Sequence, residues 1–388
     1  MPIRNRFAEL HPEITAWRRD FHAHPELQFD VHRTAGIVAE RLAEFGCDEV
    51  VTGIGKTGVV GIIRGTTNSS GRTIGLRADM DALPIDETTG LEYASKTPGK
   101  MHACGHDGHT SMLLGAAKYL AETRNFDGSV AVIFQPAEEG GGGGREMVDD
   151  GMMDQFGINE VYGMHNWPGQ PVGSFAIRSG PFFAATAEIE IKITGLGGHA
   201  AKPQETRDPT VTACQLVTAL QSIVSRNTDP IKQLVVSITS FETSSTAFNV
   251  IPAYVTLRGT ARWLDDDVGD LAEERIHALT HNICAAFGNS AEINYKRNYP
   301  AMVNSDIETG HAIEAAKKVS GDCEESPPTM GGEDFSFMLN ARPGAYILVG
   351  NGDTAKVHTP DYNFNDDVIP AGCSWYVEMA ESRLPASG

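Results

Sequence analysis

The chain has 388 residues, of which 41% are hydrophobic and 21% charged, and its formal net charge at pH 7 is −20. These fractions exclude an extended disordered chain, and the length predicts two domains. The negative charge argues against binding to nucleic acid or to anionic membranes. No apolar run approaches the roughly 20 residues that span a bilayer, and the N-terminal segment lacks the apolar core of a signal peptide. We therefore expect a cytoplasmic protein that does not enter membranes.

The first half of the chain alternates helical and strand patterns. An amphipathic helix is predicted at the N-terminus, and further helical patterns cover residues 34–45 and 110–123. Apolar runs that fit strands lie at 58–63, 73–78, 130–134 and 160–164. Strands that alternate with helices predict a layered α/β domain with a largely parallel sheet.

The pattern changes after Phe182. Strand patterns at 187–194, 233–241, 253–263 and 291–296 are joined by helical patterns at 208–226 and 267–287. The resulting order, β-α-β-β-α-β, is that of a ferredoxin-like α+β unit. A helix at 307–319 and a strand at 345–349 then resume the α/β pattern. We predict a discontinuous catalytic domain from residues 1–183 and 299–388, and an inserted domain from residues 184–298.

Residues of the types that commonly bind metals follow the predicted strands of the first domain. In chain order they are Asp79 and Asp81, Cys104 and His106 before the helix at 110–123, Glu138 and Glu139, His165, and His358. Open α/β sheets bind ligands at the carboxyl ends of their strands, so these side chains are expected to converge. A lone histidine is usually structural and a Glu-Glu pair is usually a solvated surface, but the joint pattern predicts a metal site.

The residue types limit the metal and the chemistry. Imidazole, carboxylate and thiolate suit zinc, manganese, cobalt or nickel rather than calcium or magnesium. Five candidate ligands exceed one tetrahedral site, which favours two ions and a shared water that attacks a substrate carbonyl. One glutamate of the pair would bind metal while the other acts as general base. The residues alone leave open which of Glu138 and Glu139 has which role.

Further polar residues have two interpretations each. His199, in a glycine-rich loop, is either a donor to the oxyanion of a tetrahedral intermediate or a loop residue without a role. Arg262 either pairs with a substrate carboxylate or faces solvent, and Asn249 belongs to the same inserted domain. The Gly140–Gly144 run does not match a phosphate loop and predicts flexibility beside the site.

The sequence also gives expectations for the positions of five further histidines and five cysteines. We place His22, His24 and His32 at the surface or in contacts that involve no cofactor, and His102 and His109 behind the metal ligands. The spacing of the six cysteines predicts no disulfides. Five of them are predicted to be small buried residues, namely Cys47, Cys214, Cys284, Cys323 and Cys373.

Eight ordered segments resemble those of the M20 metallopeptidases. The resemblance is to the branch that holds hippurate hydrolase, N-acyl-L-amino-acid amidohydrolases and the auxin-conjugate hydrolases of plants. The segments are RADMDALPIDE, MHACGHDGHTSMLLGAA, FQPAEEGGGG, GMHNWPG, GGHAAKPQ, FNVIP, MGGEDFSFM and HTPDYNFND.

The resemblance implies a fold and a set of roles. The inserted domain would be a lid that also forms the interface of a homodimer or homotetramer, and His199 would reach the partner's active site. Two divalent ions would be held by Cys104, His106, Glu139, His165 and His358. Glu138 matches the general base, Asp81 supports the ligands, and Asn249 and Arg262 match lid positions that contact the substrate. Asp79 is left out of the ligand set, because relatives outside this branch carry histidine there.

The predicted function is metal-dependent hydrolysis of the amide bond in small N-acyl amino acids, with hippurate-like, N-acetyl or indoleacetyl compounds as substrates. Three alternatives stay open. They are a metal-dependent dipeptidase, a thiol hydrolase with Cys104 as nucleophile and His106 as base, and a non-catalytic binding protein on the same fold.

Overall fold

The computed structural model describes residues 3–386, and it contains the predicted helices and strands together with several short elements that were not predicted. The strands are β1 Glu49–Ile54, β2 Gly58–Arg64, β3 Thr73–Asp79, β4 Ser129–Gln135, β5 Ile158–Trp167, β6 Phe175–Ile177, β7 Gly180–Phe183, β8 Ala185–Thr194, β9 Gly198–His199, β10 Leu234–Thr243, β11 Val250–Ile251, β12 Tyr254–Trp263, β13 Ser290–Arg297, β14 Met302–Asn304, β15 Glu324–Glu325 and β16 Gly344–Gly350. The helices are α1 Ile3–Ala23, α2 His32–Glu44, α3 His106–Thr123, α4 Gly143–Asp149, α5 Met152–Gln155, α6 Pro209–Ser222, α7 Asp266–Ala286, α8 Asp306–Ser320, α9 Phe335–Ala341 and α10 Ile369–Arg383.

The chain divides into two compact units. The first contains the described residues up to Gly180, Val303–Pro327 and those from Asp334 onwards, and the second contains Pro181–Met302 and Pro328–Glu333. Residues 181–183, 299–302 and 328–333 thus group with the second unit, whereas we expected them in the catalytic domain. Backbone hydrogen bonds explain the difference, because the Ala184 amide donates to the Gly331 carbonyl and the Thr329 amide to the Phe182 carbonyl.

The first unit is built on an eight-stranded sheet with the order β1-β2-β4-β3-β5-β16-β6-β15. Its four central strands, β4, β3, β5 and β16, are parallel. Strands β1 and β2 pair antiparallel with their neighbours, and β6 pairs antiparallel with β16 but parallel with β15. The sheet is therefore mixed rather than largely parallel. Strands β3, β4 and β16 are buried along their whole length, which explains their continuous apolar runs. Helices α1, α3 and α10 pack against one another.

The second unit is an antiparallel sheet with the order β10-β12-β8-β13, packed with α6 and α7. Alternation along β8 buries Ile189, Ile191 and Ile193 and leaves the residues between them exposed. Asp208 begins α6 as predicted, since its carboxylate accepts a 2.8 Å hydrogen bond from the Thr210 amide. The element order is the expected β-α-β-β-α-β. The predicted fold class, an α/β domain with an inserted ferredoxin-like α+β unit, is confirmed.

Two simpler expectations can be compared with the structure. All six cysteines are free, as predicted. Of the five expected to be buried, Cys284 and Cys373 are, Cys47 and Cys323 are partly buried, and Cys214 is exposed, so its assignment was wrong. It lies on the outer surface of α6, whose buried face consists of other positions. Among the helices of residues 3–386, none is long and apolar enough to cross a membrane.

Candidate metal centre

The predicted ligands come together at one edge of the large sheet. Within three groups, every ligand atom lies within 4.8 Å of the others. The groups are Cys104, His106 and His165; Cys104, Glu139 and His358; and His106, Glu138 and Glu139. Because Cys104, His106 and Glu139 each belong to two groups, the five predicted ligands and the predicted base form one connected cluster.

His165 is held in the tautomer that a metal ligand needs. Its Nδ1–H donates a 2.6 Å hydrogen bond to the Asn166 carbonyl, so Nε2 is left unprotonated in the neutral ring. That Nε2 lies 3.3 Å from the Sγ of Cys104. Burial, together with the nearby His109, holds the pKa of His165 well below its ordinary value. The ring is therefore neutral and able to donate an electron pair to a metal.

Asp81 positions the two glutamates. Its carboxylate is buried and accepts hydrogen bonds from the backbone amides of Glu138, at 2.9 Å, and Glu139, at 3.1 Å. The Oε1 of Glu139 lies 3.2 Å from the Nε2 of His358. Burial would raise the pKa of Glu139, but the neighbouring His358 and His106 hold it below its ordinary value. Asp81 thus fixes the backbone of both glutamates, and Glu139 presents a charged carboxylate.

His106 provides the test of whether the cluster suits a metal. Its ring is completely buried, and neither ring nitrogen forms a hydrogen bond with any residue of the described chain. The nearest carboxylate oxygens belong to Asp81, 3.6 Å from Nδ1, and Asp79, 3.8 Å from Nε2. Buried imidazole nitrogens among carboxylates, a thiol and a second imidazole are the donor set of a zinc-like ion. The residues present therefore fit the expected metals.

Both carboxylate oxygens of Asp79, which we left out of the predicted ligand set, already accept hydrogen bonds from other side chains. Oδ1 accepts a 2.7 Å hydrogen bond from Nδ1–H of His109, and Oδ2 accepts one of 2.7 Å from the Arg77 guanidinium. The Nε2 of His109 in turn accepts the Asn166 amide at 2.9 Å. His109 therefore supports the segment that carries His165, whereas the ring nitrogens of His102 have no hydrogen bond within the described residues.

Within the glycine run beside the glutamates, Gly140 is exposed, whereas Gly143 and Gly144 are tightly packed, so the predicted flexibility does not extend to the end of the run. Gly143 and Gly144 are buried, and their amides donate to the Ala137 carbonyl and to the Oδ2 of Asp334. A Cβ on Gly143 would lie 1.7 Å from the Pro136 carbonyl oxygen. Glycine is required here because the backbone folds back on itself.

Backbone conformations of high energy surround the same loop. Gln28, Ala137 and His358 have φ angles of 49°, 53° and 64°, in the left-handed region that side chains disfavour. The Ala137 amide donates to the Gln28 carbonyl, and the His358 amide donates to the Ala103 carbonyl. Such strain persists only where surrounding contacts enforce it, and it is commonly found at functional sites.

Three predicted site residues lie in the second unit. His199 pairs with Val250 in a short ladder, and the Ala200 amide donates to the Asn249 carbonyl at 2.9 Å. The Ala201 amide donates to Nδ1 of His199, which leaves Nε2–H as an exposed donor in the neutral ring. Arg262 is half-buried on β12 and donates to the Thr260 hydroxyl and the Ala261 carbonyl. The structure therefore brings His199 and Asn249 together on one exposed ladder.

Comparison with known proteins identifies the family. The model of peptidase family M20/M25/M40 matches residues 75–382. The chain belongs to this family. It is 42% identical to a hippurate hydrolase of Campylobacter jejuni, over 97% of this chain and 98% of that protein, and 38% identical to an N-acetyl-L-cysteine deacetylase of Bacillus subtilis, over 97% and 90%.

A solved structure supports the same assignment. It is that of a Bacillus subtilis protein described as a dinuclear metal-binding peptidase of the M20 family, with a TM-score of 0.85 and 32% identity, covering 98% of this chain and 100% of that one. The resemblance found in the sequence is thus confirmed, and this protein is a hydrolase that acts on amide bonds.

Sequence reasoning missed several residues that organise the site. Arg77, buried beneath the sheet edge, joins Asp79 to Asp334, and the Asn166 amide group donates to the Cys104 carbonyl at 2.6 Å. Both residues lie directly beside predicted ligands or their supports, in RADMD and MHNW. That adjacency is the signal that could have identified them.

Proposed function

We propose that this protein hydrolyses the amide bond of small N-acyl amino acids and releases a carboxylic acid and a free amino acid. The observation that carries the proposal is the connected cluster of three imidazoles, a thiol and a carboxylate beside Glu138. The relatives named as a hippurate hydrolase and an N-acetyl-L-cysteine deacetylase support this substrate class. Two divalent ions from manganese, zinc, cobalt or nickel remain our prediction, as does a cytoplasmic location.

We assign the ion pair to Cys104, His106, Glu139, His165 and His358. When bound there, the ions supply Lewis-acid polarisation and a water of lowered pKa. Glu138 removes a proton from the attacking water and transfers it to the leaving amine. Asp81 serves this step by fixing the backbone amide of Glu138, so that the carboxylate is oriented before substrate binds.

The lid residues supply the remaining contacts. We assign Nε2–H of His199 as a donor to the oxyanion, and the side chain of Asn249 as a second polar contact on the same ladder. Arg262 would bind the carboxylate of the substrate, because its guanidinium has no ion pair of its own within the described residues. A homodimer or homotetramer formed through the lid domain completes the proposal.

The thiol-hydrolase alternative has less support. Burial and the negative charges of Glu139 and Glu138 raise the pKa of the Cys104 thiol well above its ordinary value, whereas a nucleophilic cysteine needs a lowered pKa. In addition, the hydrogen-bond partner of Sγ is Nε2 of His165 rather than the expected base, His106. The dipeptidase alternative uses the same site and is decided by the substrate panel below.

The experiment measures release of free amino acid from N-acetyl, N-benzoyl and N-indoleacetyl amino acids and from a dipeptide, after metal loading and after chelation. Metal-dependent release from the acyl compounds is expected. Glu138→Gln should retain two metal ions and lose roughly 10² to 10⁴-fold in kcat. Glu146→Gln is the control, since Glu146 lies on α4 and pairs with the exposed Lys56. Release that survives chelation but not iodoacetamide would replace this proposal with the thiol mechanism.

A further inference from the structure

A chain of buried charged groups joins α1 to the start of α3, and none of its members takes part in the proposed reaction. His22 is completely buried. Its Nδ1 lies 2.8 Å from the Oδ2 of Asp107, and its Nε2 lies 3.3 Å from the Oε1 of Glu87. The sequence analysis expected His22 at the surface or in a contact without a cofactor. The structure places it between two carboxylates, one of which is adjacent in sequence to the predicted ligand His106.

The carboxylate of Asp107 ties the first turn of α3 to α1. Asp107 is buried and lies in the first helical turn, where a negative charge interacts favourably with the helix dipole. Besides His22, the Nη1 of Arg18 lies 3.6 Å from its Oδ2. Both cationic partners come from α1, so α1 helps to fix the position of this turn.

Glu87 fixes the other end of the chain of charges. Its side chain is only 4% exposed, and its carboxylate accepts hydrogen bonds from the Ser95 amide, at 2.6 Å, and from the Thr89 hydroxyl. These contacts lie in the irregular segment between β3 and α3, which also carries Cys104. His22 therefore links this segment to the helix that begins at His106.

The geometry requires a doubly protonated ring on His22. Both of its nitrogens face carboxylate oxygens, and a carboxylate can only accept hydrogen bonds. Burial lowers the pKa of His22, but the hydrogen bonds to Asp107 and Glu87 outweigh it and raise the pKa to about 9. A buried cation that is bonded to two anions holds its partners firmly, because loss of any member leaves an uncompensated charge in the interior.

The opposite side of the same turn is held by different contacts. Asn166, next to His165, donates to the Cys104 carbonyl and accepts a 2.7 Å hydrogen bond from the Tyr362 hydroxyl. The short segment with Cys104 and His106 is thus fixed from the sheet side by Asn166. The side-chain contacts of Asp107, the residue after His106, fix the same segment from α1.

We propose that His22 is a positioning residue for the metal centre, which holds Asp107 and, through the backbone, the adjacent ligand His106. This inference rests on the proposed function, because it takes His106 as a metal ligand. Outer partners that orient metal ligands typically change metal affinity by 10 to 100-fold when they are replaced. His22 should therefore control affinity for metal, although it does not contact the metal itself.

The test is a titration of the folded, metal-free protein with zinc or manganese in competition with a chromophoric chelator. His22→Gln keeps a polar side chain but cannot bridge both carboxylates as a cation, and we expect its metal affinity to fall at least tenfold. Glu87→Gln removes only the more distant carboxylate, so we expect a smaller loss, of about threefold or more.

Two control variants separate positioning from general destabilisation. His24→Gln makes the same change directly after α1, at a partly exposed histidine whose ring lies 2.8 Å from the Asp20 carbonyl and 3.3 Å from the Asp20 carboxylate. Glu160→Gln removes a buried carboxylate that pairs with Arg72 and Arg383. Both should bind metal within twofold of the native protein, and Glu160→Gln should nevertheless unfold at lower temperature.

The metal affinities of these variants decide whether His22 positions the metal centre. Native affinity in His22→Gln, or an equal loss in Glu160→Gln, would overturn it. If His22→Gln does not fold, Glu87→Gln decides, and an affinity within twofold of native would then overturn the inference. A native protein that binds neither metal would instead contradict the proposed function, which keeps the two failures distinguishable.

Discussion

Gly105 offers a sharp test of how closely the metal-binding segment is packed. Its φ is +89°, and a Cβ at this position would lie 2.3 Å from the Nδ2 of Asn166 and 2.5 Å from the Tyr362 hydroxyl oxygen. Both neighbours are completely buried and hydrogen-bonded to each other. They therefore cannot turn towards solvent to make room, and Gly105→Ala must strain the backbone and displace Asn166.

The expected magnitude has two parts. A left-handed conformation costs a residue with a Cβ roughly 1–2 kcal/mol, and forcing an extra methyl into a packed interior costs typically about 1–3 kcal/mol. Gly105→Ala should thus lower the free energy of unfolding by about 2–5 kcal/mol. Gly151→Ala is the matched control, because Gly151 has a φ of +85° and nothing within 4 Å of the added Cβ. Gly151→Ala should lower the free energy of unfolding only by the cost of the left-handed backbone, roughly 1–2 kcal/mol.

The assay is urea unfolding of both variants and the native protein, each without metal. The difference between the two variants isolates the steric part and should be about 1–3 kcal/mol. Gly105→Ala should also bind zinc more weakly, because Asn166 is adjacent to His165. Equal destabilisation by the two substitutions, with unchanged zinc affinity, would refute the close packing that the structure shows.

Three further results are expected. Arg77→Met leaves two buried carboxylates without their guanidinium and should lower the free energy of unfolding by about 3–5 kcal/mol. Arg258→Met, on the exposed surface of the second unit, should have a much smaller effect. Equal losses in urea unfolding would contradict this. The stabilisation from protonated His22 should be complete below pH 6.5 and disappear as the pH rises through about 9, a change of about 3 kcal/mol. It is measured as the difference in unfolding free energy between native protein and His22→Gln at pH 6.5 and 9.5, and a difference that does not change with pH would count against it. The groups that face this ring are Arg18, Glu87, Tyr93, His102 and Asp107. Asp81→Asn should lower kcat by about 10 to 100-fold with both metals retained. The two oxygens of the Asp81 carboxylate accept hydrogen bonds from two backbone N–H groups, whereas an asparagine side chain has only one acceptor oxygen. An unchanged kcat would mean that Glu138 is oriented by other contacts.

The positions of the predicted ligands could be anticipated because they depend on local sequence. The buried parallel strands are read from their apolar segments, and residues that come within a few positions of the end of a segment lie near the sheet edge. Glu138 and His165 are examples, and the structure places both in the cluster. The ends of apolar runs are visible in one sequence, so this part of the site needs no knowledge of distant contacts.

The rest of the site depends on partners far away in the sequence. The glycine run looked flexible because its composition is permissive, but the carboxylate of Asp334, 190 residues from Gly144, holds its last residue in place. For His22 the sequence left open a surface position or a contact without a cofactor, because its partner Asp107 is 85 residues distant. Short strands such as β6 and β15, of three and two residues, are too brief to show any periodicity. Such features follow from tertiary contacts, which composition and spacing do not encode.

The ligand-bearing loops are irregular, yet they are fixed by contacts that do not involve the ligand atoms. Asp81 binds the backbone of the glutamates, Asn166 binds the carbonyl of Cys104, and Asp334 binds the amide that closes the glycine run. Ligand side chains on segments held in this way lose little conformational freedom when they bind an ion, which favours tight binding. The strained φ of Ala137 agrees with this view, since a loop free to relax would abandon it. The network of buried carboxylates and amides is therefore as much a part of the proposed metal centre as the proposed ligands.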